Sequence, residues 1–136
     1  MALDKAYAVQ EAENWLTTNS NKIYHSRLNF ELAKYFFRKK QVDASIQAYQ
    51  KISIDDLENK ELALMQFQLG YLYFKKGDWD QSTSYLMSIR QVKSSPFYTD
   101  ANYYAGFVAL QHFFKLFLKS TRYNPIVIKF GAGFSG

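Results

Sequence analysis

The sequence predicts an all-α protein built from antiparallel helix-turn-helix repeats stacked as an α-solenoid. Three observations carry this expectation. Apolar residues recur at helical spacing along almost the whole chain. The stretch "LAKYFFRKKQVDASIQAYQKI", Leu32 to Ile52, aligns without a gap on "LGYLYFKKGDWDQSTSYLMSI", Leu69 to Ile89, at a spacing of 37 residues. At 136 residues and 48% hydrophobic, the chain is long enough for one core and too apolar for disorder.

The elements follow in order. Leu3, Ala6, Tyr7, Val9, Ala12, Trp15 and Leu16 outline a lead-in helix over residues 3–18, which the polar run "TTNSN" ends. Tyr24, Leu28, Leu32, Tyr35 and Phe36, then Val42, Ile46, Tyr49 and Ile52, give a helix, a short turn and a second helix within residues 22–53. The polar "SIDDLENKE" separates this pair from the next and offers Ser53 and Asp55 as helix caps. Leu62 to Lys76 and Trp79 to Val92 repeat the plan within residues 58–92, with Gly77-Asp78 as the turn. Pro96 requires a preceding helix to stop at or before Ser95. A third first-helix, "AGFVALQ" at Ala105–Gln111, lies 36 residues after its counterpart in a partial repeat over 97–119. Residues 1–119 thus form one helical domain, and 120–136 are expected to be an irregular tail.

Superposing the two complete pairs gives each position a packing role. Leu32 meets Leu69, Ala33 meets Gly70, Phe36 meets Tyr73, Val42 meets Trp79, Ser45 meets Ser82 and Tyr49 meets Leu86. Ala33 and Gly70 are small enough to let the two helices of a pair approach closely, with Ser45 and Ser82 opposite, and Gly106 holds the small place in the third copy. Phe36, Tyr73, Tyr49 and Leu86 fill the boundary between pairs, because one helical pair alone cannot bury its apolar faces.

The second copy resembles a tetratricopeptide repeat: Leu69-Gly70 on the first helix, aromatic Tyr73 three residues later, the turn Gly77-Asp78-Trp79, then Ser82 at a small position. The first copy resembles the family well and the third in part. The family's unit of about 34 residues is lengthened here in "SIDDLENKE" and "SSPFYTD", and Ser45, Ser82, Ile52 and Ile89 stand where the family commonly has Ala. More loosely, "AENWLTTNSNKIYHSRLNFELAKYFFRKK" resembles repeat arrays of bacterial cell-envelope proteins of the Bacteroidetes type, which suggests a periplasmic or envelope setting.

The resemblance implies a superhelix whose first helices line a concave groove. By alignment that groove carries Arg27, Phe30, Lys34, Phe37 and Arg38, then Leu64, Phe67, Tyr71, Phe74 and Lys75, then Tyr103, Phe107, Leu110 and Gln111. An aromatic ladder edged by positive charge suits an extended or helical peptide, with Lys34, Arg38 and Lys75 meeting its carboxylates. The alternative is that these aromatics pack against neighbouring helices. The family's clamp for chaperone tails is not matched, since Phe30 and Asp100 occupy two of its places.

Other chemistries have little support in the sequence. Asp78, Asp80 and Ser82 alternate like the ligands that open a calcium loop, but counting from Asp78 the sixth and twelfth places hold Thr83 and Ile89 instead of Gly and Glu. The first copy also replaces Asp78 by Gln41, which a turn tolerates and a metal site does not. His25 and His112 stand in no catalytic motif, "FGAGFSG" lacks the Lys of a phosphate loop, and there are no cysteines, so neither an enzyme nor a cofactor is expected. The net charge of +5 is spread along the chain rather than gathered in a run, which disfavours nucleic acid. Asp4, Glu11 and Glu13 exclude a secretory signal peptide in this stretch, and Gln111, His112 and Lys115 interrupt the one long apolar run before it could span a membrane.

The end of the chain departs from the repeat. In register, the third copy should turn near Phe113 and place a small residue at Leu118, yet the sequence continues apolar to Pro125. Either the helix extends to about Lys119, or a closing helix belongs to a longer protein. An uncovered face would make Phe113, Phe114, Phe117 and Leu118 drive homo-oligomer formation. Two functions follow as expectations: a non-catalytic protein- or peptide-binding scaffold, or a structural segment that assembles an oligomer or packs within a longer chain.

Overall fold

A computed structural model describes residues 6–121. Among these residues all regular structure is helical: α1 (Ala6–Thr18), α2 (Lys22–Arg38), α3 (Val42–Gln50), α4 (Asn59–Lys76), α5 (Trp79–Arg90) and α6 (Tyr98–Thr121), with a 3-10 turn at Ile54–Asp56. The expected tail is helical through Thr121 and otherwise lies outside the described residues, as do residues 3–5 of the lead-in helix.

Local chemistry places the helix ends. The Asn21 side chain accepts from the Ile23 N–H at 3.2 Å and opens α2. At α4 the expected caps give way to another residue. Ser53 leads only into the 3-10 turn and makes no side-chain cap bond, and Asp55 lies within that turn. The helix itself starts after Glu58, whose N–H donates to Glu61 Oε1 at 3.0 Å. Asp78 opens α5 by accepting from the Gln81 N–H at 3.2 Å, and Asp80 adds negative charge to the same first turn.

The two hairpin turns share one backbone plan. Gly77 adopts φ 81° and donates to the Phe74 carbonyl, while Asp78 donates to Tyr73. Thirty-seven residues earlier, Lys40 adopts φ 59° and donates to Phe37, while Gln41 donates to Phe36. The first copy therefore forces a side chain into the left-handed region that Gly occupies freely.

Within each hairpin the small residues meet directly. The Ser45 hydroxyl donates to the Ala33 carbonyl at 2.8 Å, and the Ser82 hydroxyl donates to the Gly70 carbonyl at 2.7 Å. All four are buried. A Cβ on Gly70 would stand 2.7 Å from Leu86 Cδ2, so in this hairpin the buried Leu86 side chain takes the space that the methyl of Ala33 has in the first.

Two apolar clusters make the core. One joins α1 to α4 through residues that include Val9, Ala12, Phe30, Leu32, Tyr49, Ile52 and Leu69; the other joins α5 to α6 through Leu86, Ile89, Ala101, Ala105 and Val108. Between hairpins, Gln50 Nε2 donates to the Tyr73 hydroxyl at 3.0 Å and the Tyr49 hydroxyl donates to Gln68 Oε1. Burial, with the Glu31 charge adding to it, raises the Tyr49 phenol well above its ordinary value. On the surface Arg27 pairs with Glu61 at 2.6 Å and Lys76 with Asp43 at 2.8 Å.

The third copy departs from the repeat register and needs one correction. Of the two alternatives, the helical extension to about Lys119 is the one seen: α6 runs unbroken past Phe113 to Thr121, because "ALQHFFKLFLKS" contains no Gly, Pro or Asn to stop it. Gly106 is not a close-approach residue: it is exposed, and a Cβ there would meet nothing within 4 Å. The position has lost its reason to be small, since among the described residues no second helix packs on it as α5 packs on Gly70.

Candidate functional site

The first helices of the three copies, α2, α4 and α6, carry one continuous set of aromatic contacts. Phe37 meets Tyr71 edge to face with centroids 5.6 Å apart, and Tyr71 meets Tyr104 in the same way at 5.3 Å. Phe74 stands 5.4 Å from Tyr104 and 5.5 Å from Phe107, and it also touches Trp79 at 5.8 Å. Phe67 stacks on Phe97 at 5.0 Å with the rings 10° from parallel. Tyr103 lies at the border, 5.1 Å from Tyr104, and is 65% exposed. Phe37, Phe67, Tyr71, Phe74 and Phe107 are each half-buried. These edge-to-face contacts match the electrostatics of ring faces and edges and leave part of each ring to solvent.

Phe30 does not belong to this surface. It is 2% exposed, packs edge-on against Tyr49 at 6.2 Å and forms part of the core, because its side of α2 faces α3. Tyr104 and Phe97, by contrast, were not assigned from sequence and are central. Tyr104 touches Phe67, Tyr71, Phe74 and Tyr103. The signal for it was present: Tyr104 follows Phe67 by 37 residues, the spacing of the first two copies, whereas the 36-residue register pointed to Tyr103. Burial first, then the nearby phenols of Tyr71 and Tyr103, raise the Tyr104 pKa, so that ring stays neutral.

The expected cations border the rings in different ways. Lys75 is exposed, with Nζ 5.9 Å from the Tyr71 centroid. Arg38 is exposed at the end of α2. Lys34 is committed inside the protein: its Nζ lies 4.5 Å over the Phe30 ring and 2.8 Å from Glu31 Oε1. Half-buried Phe36 meets Tyr35 at 5.6 Å, and Tyr73 stacks on Tyr85 at 5.8 Å, both away from these rings.

Asp78, Asp80 and Ser82 do not converge. Asp78 caps α5, Asp80 is exposed 3.8 Å from His112 Nε2, and the buried Ser82 hydroxyl turns toward Gly70. Among the described residues no group of three or more His, Asp or Glu side chains could hold a metal ion. His25 contacts the Asn19 carbonyl and the Trp15 ring at 5.7 Å, which ties α1 to α2. Between these helices lies an open cavity of about 590 Å³, lined by Ala8, Ala12, Trp15, Tyr24 and Leu28 together with Glu11, Arg27 and Glu31. Among the described residues no helix is long and apolar enough to cross a membrane. No family model, curated protein or solved structure matches the chain.

Proposed function

We propose that the chain is a short tetratricopeptide-type solenoid of two full repeats and part of a third, and that it acts without catalysis as a scaffold holding an acidic peptide on the aromatic face of α2, α4 and α6. The observation that carries this reading is the unbroken run of ring contacts from Phe37 through Tyr71 and Phe74 to Phe107, each ring still partly exposed. Part-exposed, mutually supported rings lose little conformational freedom when a ligand covers them, which favours binding. Lys75, exposed beside the Tyr71 ring, gives the face its sign; Lys34, held by Glu31, contributes less.

An array of acidic peptides with single Phe or Leu anchors tests this. Binding by the native chain, lost in Lys75→Glu while the melting curve is unchanged, is the expected result. Equal binding of charge-neutral scrambled peptides would count against it.

A purely structural role is the second reading, favoured by the fact that each ring already packs on another. Substituting Phe67 and Tyr71 by Ala separates the two: lost binding with the helical signal retained supports the scaffold, and unfolding supports the structural role.

A further inference from the structure

Helix α1 stands in the place of a repeat's second helix. The 37-residue spacing that carries α2 onto α4 and α3 onto α5 also carries α1 onto α3, with Ala8 falling on Ser45, Ala12 on Tyr49 and Trp15 on Ile52. Ala8 thus holds the small position of Ser45 and Ser82. Each of those serines meets a first helix twelve residues upstream, at Ala33 and at Gly70. Among the described residues no helix precedes α1 to meet Ala8, and the cavity of about 590 Å³ lies there instead.

This cavity coincides with the seat that a first helix fills one repeat later. Ala8, Glu11, Ala12 and Trp15 form its α1 wall, and their counterparts on α3, Ser45, Ala48, Tyr49 and Ile52, are all buried. Helix α2 fills that later seat, with its Ala33 carbonyl against the Ser45 hydroxyl and its Phe30 ring against Tyr49. On the other wall, Leu28 of α2 corresponds to buried Met65 of α4, and Tyr24, which corresponds to Glu61, stays 60% exposed. The walls repeat; the helix between them does not.

We infer that the cavity seats a basic amphipathic helix of a partner protein, entering as the first helix of a shared repeat. The helical form follows from the walls, which copy the α3 and α4 surfaces that α2 covers. Its apolar face needs a large anchor, because Ala12 stands where Tyr49 and Leu86 fill the later seats. Its sign follows from Glu11 and Glu31, which replace Ala48 and Gln68 of the filled seat. Glu11 is exposed and pairs with no described residue, and Glu31 has one partner, Lys34. Arg27, the cation on this wall, is held by Glu61 and the Asp56 carbonyl, so it does not neutralise them. The filled seat shows the pairing expected: Glu61 on its wall meets Arg27 of the seated helix at 2.6 Å. An acidic helix would bring like charges together.

The chain supplies a probe. A synthetic peptide of residues 22–38, the sequence of α2, is a first helix with four cations and one carboxylate. Fluorescently labelled and titrated with the full chain, it should bind, and bind less as salt rises. Glu11→Lys should weaken binding about tenfold, and so should Ala12→Tyr, which fills the cavity, both with helix content unchanged. Should Ala12→Tyr misfold, the exposed Glu11 site decides alone. No binding by the native chain overturns the inference, as does equal binding of the peptide with its four cations changed to Gln. Self-association of the native chain that Ala12→Tyr abolishes also overturns it, since a second copy would then be the occupant. Lys75→Glu should leave capture of this basic peptide unchanged, so failure here and failure of the scaffold reading are told apart.

Discussion

Ser82 on α5 and Gly70 on α4 are joined by a buried hydrogen bond of 2.7 Å from hydroxyl to carbonyl, and Ser45 and Ala33 repeat it at 2.8 Å one hairpin earlier. Ser82→Ala removes that donor and should cost about 1 kcal/mol, the net worth of a typical buried hydrogen bond. Ser45→Ala should cost about the same, and the two should add, because they sit in different hairpins. Urea denaturation of the two single variants and the double variant measures this; a double-variant loss well outside the sum would show that the hairpins are coupled at these sites.

Gly70 and Gly106 should respond to alanine in opposite directions. At Gly70 the new methyl meets fully buried Leu86 at 2.7 Å. Overpacking there should outweigh the helix-propensity gain of about 1 kcal/mol, for a net loss of about 1–2 kcal/mol. At Gly106 nothing opposes the methyl within 4 Å. Gly106→Ala should stabilise by about 0.5–1 kcal/mol, measured by thermal unfolding at concentrations where the chain is monomeric.

Lys40 is the one non-glycine residue with positive φ among the described residues, and it occupies the turn position that Gly77 holds in the next copy. Lys40→Gly should therefore raise stability by about 1 kcal/mol, the strain relieved less the added unfolded-state entropy. Gly77→Ala should lower it by a similar amount. Denaturant midpoints of the two variants should shift in opposite directions.

Glu61 predicts an acid-labile contribution. The Glu58 N–H first, then Arg27, hold its carboxyl below the ordinary glutamate value. A depressed carboxylate adds stability above the unfolded-state pKa and loses it as pH falls through the lower folded value. The native chain should thus exceed Glu61→Gln in stability at neutral pH, and the gap should close in acid below about pH 4. A gap independent of pH would assign the difference to packing instead of charge.

Much of the fold was legible because its determinants are local. Apolar spacing marked the helices, Gly77-Asp78 marked a turn, and the alignment of Ser45 with Ser82 picked out the two hydroxyls that close the hairpins. The candidate site was less legible. Phe30 and Phe37 are both aromatic residues on α2, yet one is 2% exposed in the core and the other joins the ring surface. Tyr103 and Tyr104 are adjacent, and a one-residue difference in register decided which of them became the hub.

By itself the sequence determined the helices, the turns between them and the all-helical class, since periodicity, caps and breakers act within a few residues along the chain. Only the tertiary structure decided which aromatic rings meet, which lysine is already paired and whether a glycine is needed. Those properties belong to pairs of residues on different helices. A methyl at Gly70 is costly because Leu86 stands against it, and at Gly106, the same residue type at the corresponding place, it is free because nothing does.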